Sequence, residues 1–197
     1  MIYTVTLNSA VDRLVQIYGK LERKHNNKIK STTYDIGGKA THVAVALSKL
    51  GIDCIATGFV GGNTGAMMVE MMEEKGVHCE FINQEGSETR ESIILIDESN
   101  LGSYMITQSG FVISKESLQK LRDYLEEKLT EKDIVVFAGS PTKGFSLQDY
   151  VGLLSIVKDK KAKLVVDSAG NYLKEALKLK PYLVNPNEFE FQEHVNK

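Results

Sequence analysis

The sequence is poor in cysteine, is nearly neutral and has no long apolar run, and each shortage excludes a class of protein. Cys54 and Cys79 form no CxxC pair, which argues against a disulfide framework and predicts buried, reduced thiols in a cytoplasmic protein. Lysine plus arginine is 24 and aspartate plus glutamate is 26, so a net charge of −2 argues against a nucleic-acid partner. No apolar run approaches the roughly 20 residues of a membrane span, and MIYTVTLNSAVD has no signal-peptide pattern, so no membrane partner is expected.

Several common active-site motifs are also missing. The P-loop pattern GxxxxGK[ST] fails because Thr33 stands where its first glycine should be. The glycines at 58, 61, 62 and 65 do not have the GxGxxG spacing, GxSxG does not occur, and the four histidines form no metal-ligand pair on one helix. The P-loop, dinucleotide, serine-hydrolase and zinc patterns are therefore excluded.

The sequence does contain an alternation of β-branched runs with amphipathic helical stretches, which predicts an α/β fold. Continuous apolar strands such as 134–138 are typical of a parallel sheet covered on both faces. Ligands bind beyond the carboxyl ends of such strands. Strands are predicted over 2–7, 52–60, 77–82, 134–138, 164–166 and 182–184, and functional residues are expected in the loops 8–12, 61–65, 139–144, 167–171 and 185–190.

Two stretches depart from this alternation and predict a small second sheet. The segment 28–36, KIKSTTYDI, is strand-like but polar, and 92–97 with 103–107 reads as a hairpin across a turn. We expect the segments 13–36 and 91–108, with approximate bounds, to contain the strands of this second sheet. The sheet would act as a lid over a site, provide a dimer contact, or form a peripheral extension. The chain 1–197 is expected to be one α/β unit, cut short because its last predicted helix has barely begun at Lys197.

A first group of candidate residues lies near the amino-terminal half of the predicted sheet. Asp12 could accept hydrogen bonds from substrate hydroxyls, or it could serve only as a turn or cap residue. Gly38 and Lys39 open a helix, where backbone N–H groups favour an anion and where a lysine is electrostatically poor unless an anion is bound. His42 shares the polar helix face with Lys39. Arg90 could bind a phosphate bidentately or pair with a neighbouring glutamate.

A second group follows the later strands. Ser140 and Lys143 come after strand 134–138, and Asp167 ends the next strand. Asn187 and Glu190 are three residues apart in the first turn of the last helix, where they could hold a hydrated Mg²⁺ or simply cap the helix. Taken with the first group, these positions suit a phosphorylated, hydroxyl-rich substrate and a metal-bound nucleotide.

The motifs along the whole chain resemble those of the PfkB, or ribokinase-like, carbohydrate kinases, in the branch of 1-phosphofructokinase and tagatose-6-phosphate kinase. TVTLNSAVD resembles that branch's opening TLNPAID, and DIGGKATHVAVALSKLG resembles the signature GGKGxNVAxxLxxLG. ATGFVGGNTG, the TR at 89–90, AGSPTKG, VVDSAG and VNPNEFEF resemble later family blocks in the same order.

The resemblance implies a three-layer α/β core with a β-sheet lid, transfer of the γ-phosphate of ATP to a sugar hydroxyl, a Mg²⁺ cofactor and a homodimer formed through the lid strands. It assigns sugar hydroxyls to Asp12 and the sugar phosphate to Gly38, Lys39 and Arg90. His42, Ser140 and Lys143 are expected in the substrate site, Asp167 and Asn187 on the nucleotide side, and Glu190 on both the nucleotide side and the metal.

Four departures from the family pattern bear on function. Ser9 replaces a proline, Ala40 replaces the last glycine of GGKG, and His42 replaces an asparagine that usually contacts the sugar. The GxGD motif, which carries the catalytic base of the family, is absent from residues 1–197, so no catalytic residue is assigned. The alternatives are a non-catalytic sugar-phosphate-binding protein and a nucleoside or ribose kinase of the same fold, the latter disfavoured by Lys39 and Arg90.

Overall fold

The computed structural model describes residues 1–99 and 102–188, which form ten strands and five helices. The strands are β1 (Ile2–Thr6), β2 (Ala10–Ile17), β3 (Ile29–Gly37), β4 (Cys54–Val60), β5 (His78–Asn83), β6 (Arg90–Ile96), β7 (Ser103–Thr107), β8 (Ile134–Ala138), β9 (Lys163–Asp167) and β10 (Leu183–Val184). The helices are α1 (Lys39–Lys49), α2 (Gly62–Glu74), α3 (Lys115–Lys128), α4 (Leu147–Asp159) and α5 (Gly170–Lys178).

The larger sheet, here called the main sheet, is parallel and has the order β10-β9-β8-β1-β4-β5. One face packs against α3, α4 and α5, where Val5, Phe137 and Leu153 are buried in one apolar cluster. The other face packs against α1 and α2, where Ala56 and Met68 belong to a second cluster. The predicted α/β class, with a parallel sheet between two helical layers, is confirmed.

A second sheet of four strands, in the order β3-β2-β6-β7, stands beside the main sheet. β6 and β7 are the antiparallel hairpin that the sequence predicts, with Ser92 opposite Thr107. β2 is central, because it pairs antiparallel with β3 and parallel with β6. Residues 13–17 of β2 lie within the segment 13–36 expected to carry lid strands, but residues 8–12 were expected to be a loop, which is wrong from Ala10 onward.

Two helices begin with a serine side chain that caps the first turn. Ser114 accepts a hydrogen bond from the amide of Ser117, and Ser146 accepts one from the amide of Asp149. α2 begins at Gly62, and Gly61 precedes it without a side-chain cap. The described residues contain no helix that is both long enough and apolar enough to cross a bilayer.

The two cysteines are free thiols, as expected, but they differ in burial. Cys54 is buried beneath α1, whereas Cys79 on β5 is only partly buried. Desolvation raises the pKa of both thiols, that of Cys79 to about 12. Both thiols are therefore protonated at neutral pH and unreactive as nucleophiles.

The amino terminus is tied to the main sheet by an ion pair. The Met1 ammonium donates to Oδ1 of Asp133 at 2.8 Å, and the amide and hydroxyl of Thr130 each donate to Oδ2 at 2.8 Å. Burial alone would raise the pKa of Asp133, but these hydrogen bonds outweigh it, so the pKa lies below its ordinary value. This contact fixes the start of β1, the strand at the centre of the main sheet.

We expect Asp133→Asn to lower the free energy of unfolding at pH 7 by about 1–2 kcal/mol, since one charged hydrogen bond to a half-exposed partner is lost. The folded-state pKa is lowered, so the contribution is present above the unfolded value of roughly 3.9 and disappears as the pH falls through the folded value. Urea unfolding of both proteins between pH 7 and pH 3 measures the difference in their free energies of unfolding. Glu126→Gln, an exposed change on α3, is the charge control, and equal stability at pH 7 would contradict the prediction.

Candidate functional site

A cleft of about 370 Å³ opens between the carboxyl ends of β1 and β8 and the inner face of the second sheet. This is the edge of a parallel sheet at which ligands are expected. Six of the predicted site residues line the cleft: Asp12, Gly38, Lys39, His42, Arg90 and Ser140. The remaining lining residues are Thr6, Asn8, Ser92, Met105, Thr107, Ala138 and Gly139.

The two glycines before α1 are required by the close approach of the chain at the base of the cleft. A Cβ on Gly37 would lie 2.6 Å from Oδ1 of Asp12 and 2.9 Å from the Cβ of Ala10. Gly38 has φ 102°, a conformation that side chains other than glycine rarely adopt, and it precedes the first helical residue, Lys39. The glycine pair thus lets the start of α1 face the cleft next to the Asp12 carboxylate.

Asp12 is the third residue of β2, and it faces Ser92 on the neighbouring strand β6. Desolvation by burial raises the pKa of Asp12, while His42, a hydrogen bond with Ser92 and the charge of Arg90 oppose the rise. The carboxylate is therefore held in the cleft at an energetic cost. Its position in a strand, not in a turn, argues against the alternative of a turn or cap aspartate.

Arg90 is the first residue of β6, and its hydrogen bonds go to uncharged groups. Its Nε donates to Oδ1 of Asn8 at 3.0 Å, and Nη1 donates to Oγ of Ser92 at 3.5 Å and to the carbonyl of Gln108 at 3.4 Å. Burial lowers the pKa of the guanidinium, opposed by the charge of Asp12. Arg90 therefore faces the cleft and is not held by the neighbouring glutamates, as the alternative surface interpretation would require.

Lys39 links the start of α1 to the end of β9. Its Nζ lies 3.0 Å from Oδ1 of Asp167, and its side chain approaches Gly139. A residue predicted for the sugar phosphate and a residue predicted for the nucleotide are thus in direct contact. The ion pair crosses the end of β8, which separates the two.

The other predicted site residues lie outside the cleft lining. Lys143 is exposed in the turn after β8, and Asn187 is exposed after β10. Glu190 lies outside the described residues. Within 1–99 and 102–188, no group of three or more histidine, cysteine, aspartate or glutamate side chains could hold a metal ion.

Sequence reasoning missed Asn8, Met105 and Thr107. Asn8 lies two residues after the end of β1, within the loop 8–12 where functional residues were expected, so its position was a signal that could have identified it. Met105 and Thr107 are two apart on β7, which places both on one face of the hairpin. Only the position of the second sheet beside the main sheet shows that this face of the hairpin lines the cleft.

Comparison with known proteins gives one consistent result. The model of the pfkB family of carbohydrate kinases matches residues 1–197. The chain is 30% identical over 198 residues to a tagatose-6-phosphate kinase of Staphylococcus epidermidis, covering 100% of this chain and 63% of the relative. It is 32% identical over 195 residues to a 1-phosphofructokinase of Bacillus subtilis, covering 98% of this chain and 62% of the relative.

Solved structures are similar over the same region. Phosphofructokinase-2 from Escherichia coli in complex with fructose-6-phosphate has a TM-score of 0.93 and 25% identity, covering 100% of this chain and 64% of that chain. The present chain therefore spans a little under two thirds of the length of the proteins that it resembles.

We expect Asp12→Asn to maintain or slightly raise the free energy of unfolding at pH 7, by about 0.5 kcal/mol. The folded-state pKa of Asp12 is raised, so its charge costs stability as the pH rises from the unfolded value through the folded value. The gap between variant and wild type should close toward pH 4. Thermal and urea unfolding measure it, with Asp123→Asn on α3 as the exposed control, and a loss above about 1 kcal/mol would make Asp12 a structural residue.

Proposed function

The chain belongs to the pfkB family of carbohydrate kinases, and on that premise we propose that it forms the sugar-phosphate-binding part of a kinase that phosphorylates a sugar phosphate. The proposed substrates are fructose 1-phosphate, tagatose 6-phosphate and fructose 6-phosphate. The names of the relatives support this choice, since they are sugar-phosphate kinases. A cytoplasmic location belongs to the same proposal.

The observation that carries the proposal is the environment of Arg90. Its guanidinium is partly desolvated in the cleft and makes no ion pair among the described residues; its hydrogen-bond partners are neutral. The Asp12 carboxylate in the same cleft offsets only part of the cost of removing this charge from water, because the pKa of Arg90 stays lowered. A phosphate bound in the cleft would supply the ion-pair partner that Arg90 lacks among the described residues, and the planar guanidinium suits bidentate contact with phosphate oxygens.

The remaining cleft residues suit the sugar. The Asp12 carboxylate, next to the start of α1, would accept hydrogen bonds from sugar hydroxyls, and desolvation makes such bonds strong. The positive end of α1 and Lys39 would add to the anion-binding field. His42 lines the same cleft and would contact the sugar from α1.

ATP and Mg²⁺ are part of the proposal through the family. The residues assigned to them are Asp167, Asn187 and Glu190, but Glu190 lies outside the described residues and Asp167 is paired with Lys39. The described residues therefore do not assemble a site that fits the metal.

A homodimer through the second sheet is also proposed. The face of this sheet that carries Asp12 continues into an apolar row formed by Leu14, Ile94 and Met105. Met105 is 67% exposed, although it lines the cleft. Covering this row with a second copy would bury it beside the site, and a monomer in sedimentation at about 50 μM would refute the dimer.

Arg90→Ala is expected to weaken binding of a sugar phosphate by roughly 10- to 100-fold, because a charged hydrogen bond contributes about 1.5–3 kcal/mol. Binding of fructose, which has no phosphate, should change far less. Titration calorimetry with fructose 1-phosphate, fructose 6-phosphate, tagatose 6-phosphate and fructose measures the affinity of the variant relative to wild type for each ligand. Lys39→Ala should act in the same direction, and Lys120→Ala on the distant α3 is the charge control; equal weakening for both ligand types would contradict the phosphate role.

The 197-residue chain by itself is expected to bind a sugar phosphate without turning it over. The GxGD motif is absent from these residues, and losing a general base and anion stabilisation slows chemistry by roughly 10²–10⁴-fold each. An ADP-release assay with ATP and the three sugar phosphates tests this. Turnover abolished by Asp12→Asn would show that the chain contains its own base, whereas binding without turnover even in the longest natural form of the protein would favour the non-catalytic alternative.

A further inference from the structure

The segment that precedes Arg90 is fastened to the start of α2. The amide of Thr89 donates to the carbonyl of Gly61 at 2.8 Å, and the amide of Gly61 donates to Oγ1 of Thr89 at 2.9 Å. Thr89 is 2% exposed, so this reciprocal pair is shielded from water. Buried, fully satisfied hydrogen bonds of this kind hold backbone segments rigidly.

Glu88 makes the second connection. Its carboxylate accepts a hydrogen bond from the amide of Thr64 in the first turn of α2. A Cβ on Gly62 would collide with this carboxylate, so the glycine leaves space for it. The hydrogen bonds from the helix start hold the pKa of Glu88 below its ordinary value.

Glu88 thus caps the amino terminus of α2, a role that no residue of the helix itself fills. Gly61 offers no side chain, and Asn63 does not cap the helix. A negative charge at a helix amino terminus is favourable, and here it comes from a residue distant in sequence. Helix capping explains the position of Glu88 but not why the cap is attached to the segment that carries Arg90.

Arg90 is the first residue beyond this anchor and the first residue of β6. Its Nε is oriented by Asn8, which follows the central strand β1 of the main sheet. The guanidinium is therefore placed from two sides: Asn8 orients its Nε–H group, and the anchor at 88–89 holds the backbone from which the side chain projects. Loss of either side would let the side chain leave the geometry that a phosphate requires.

We propose that Glu88 is a positioning residue, which anchors the backbone before Arg90 to the start of α2 and thereby sets the affinity of the cleft for the phosphate of the substrate. The proposal rests on the proposed function in one respect, the assignment of phosphate binding to Arg90. Its structural part, the dependence of Arg90 on Glu88, holds with or without a ligand.

The test compares Glu88→Ala and Glu88→Gln with wild type. The glutamine keeps an oxygen that can accept from Thr64, so it should rescue most of the effect, whereas alanine removes the contact. Ser114→Ala is the matched control, because it also removes a helix cap but on α3, away from Arg90. Arg90→Ala is combined with Glu88→Ala to complete a double-mutant cycle.

The first readout needs no ligand. The Nε–H signal of Arg90 in a ¹⁵N-resolved NMR spectrum, identified by its disappearance in Arg90→Ala, reports the hydrogen bond to Asn8. Glu88→Ala should shift this signal and speed its exchange with water, while Ser114→Ala leaves it unchanged. An unchanged signal in folded Glu88→Ala would overturn the inference whether or not the protein binds sugar phosphates. If that variant does not fold, the same readout is made on Glu88→Met, which keeps the side-chain volume but has no acceptor oxygen; a shifted signal is expected, and an unchanged signal overturns the inference.

The second readout is binding of fructose 6-phosphate, fructose 1-phosphate, tagatose 6-phosphate and fructose. Glu88→Ala should weaken binding of the sugar phosphate that wild type binds by about fivefold, with little change in the binding of fructose. In the Arg90→Ala background, Glu88→Ala should cause no further loss of affinity. If the loss of affinity from Glu88→Ala adds to that from Arg90→Ala, or if Ser114→Ala causes an equal loss, Glu88 is only a structural helix cap. Failure of wild type to bind any sugar phosphate would refute the proposed function instead, while the NMR readout still decides the inference.

Discussion

The cleft depends on one row of strand pairing in the second sheet. Ala10 of β2 lies opposite Gly37 of β3 on one side and opposite Arg90 of β6 on the other. This row brings together the chain after β1, the glycines before α1 and the arginine at the start of β6, which are far apart in sequence. A slip of one residue would turn Asp12 to the opposite face of the sheet and empty the cleft of its carboxylate.

The same row explains which parts of the molecule could be predicted from the sequence. The main sheet could be predicted from the sequence, because its strands are continuous apolar runs, such as 134–138, separated by amphipathic helices. β2 could not, because Asp12 and Arg13 stand together in its middle and interrupt a regular alternation. Pairing with two distant strands, not local propensity, makes 10–17 a strand.

The site shows a similar division. Asp12, Gly38, Lys39, His42, Arg90 and Ser140 were identified from strand ends, glycine pairs and family motifs, and all six line the cleft. Asn8 was missed, although it lies at a strand end, because an asparagine there has no distinctive spacing. The contact between Lys39 and Asp167 was also unforeseen, since the order of β1, β8 and β9 in the sheet decides it.

The hairpin that lines the cleft ends at β7, an edge strand of the second sheet that has little protection against pairing with another molecule. β7 is five residues long, has no lysine or proline, and exposes Tyr104, Met105 and Ile106 by half or more. Soluble proteins usually protect such a border with charge, proline or a bulge, because its free backbone groups can template a strand of another molecule. The strand that supplies Met105 and Thr107 to the cleft is thus also an edge of the second sheet with free backbone groups, so a substitution that reshapes the cleft there also changes how readily this edge pairs with another molecule.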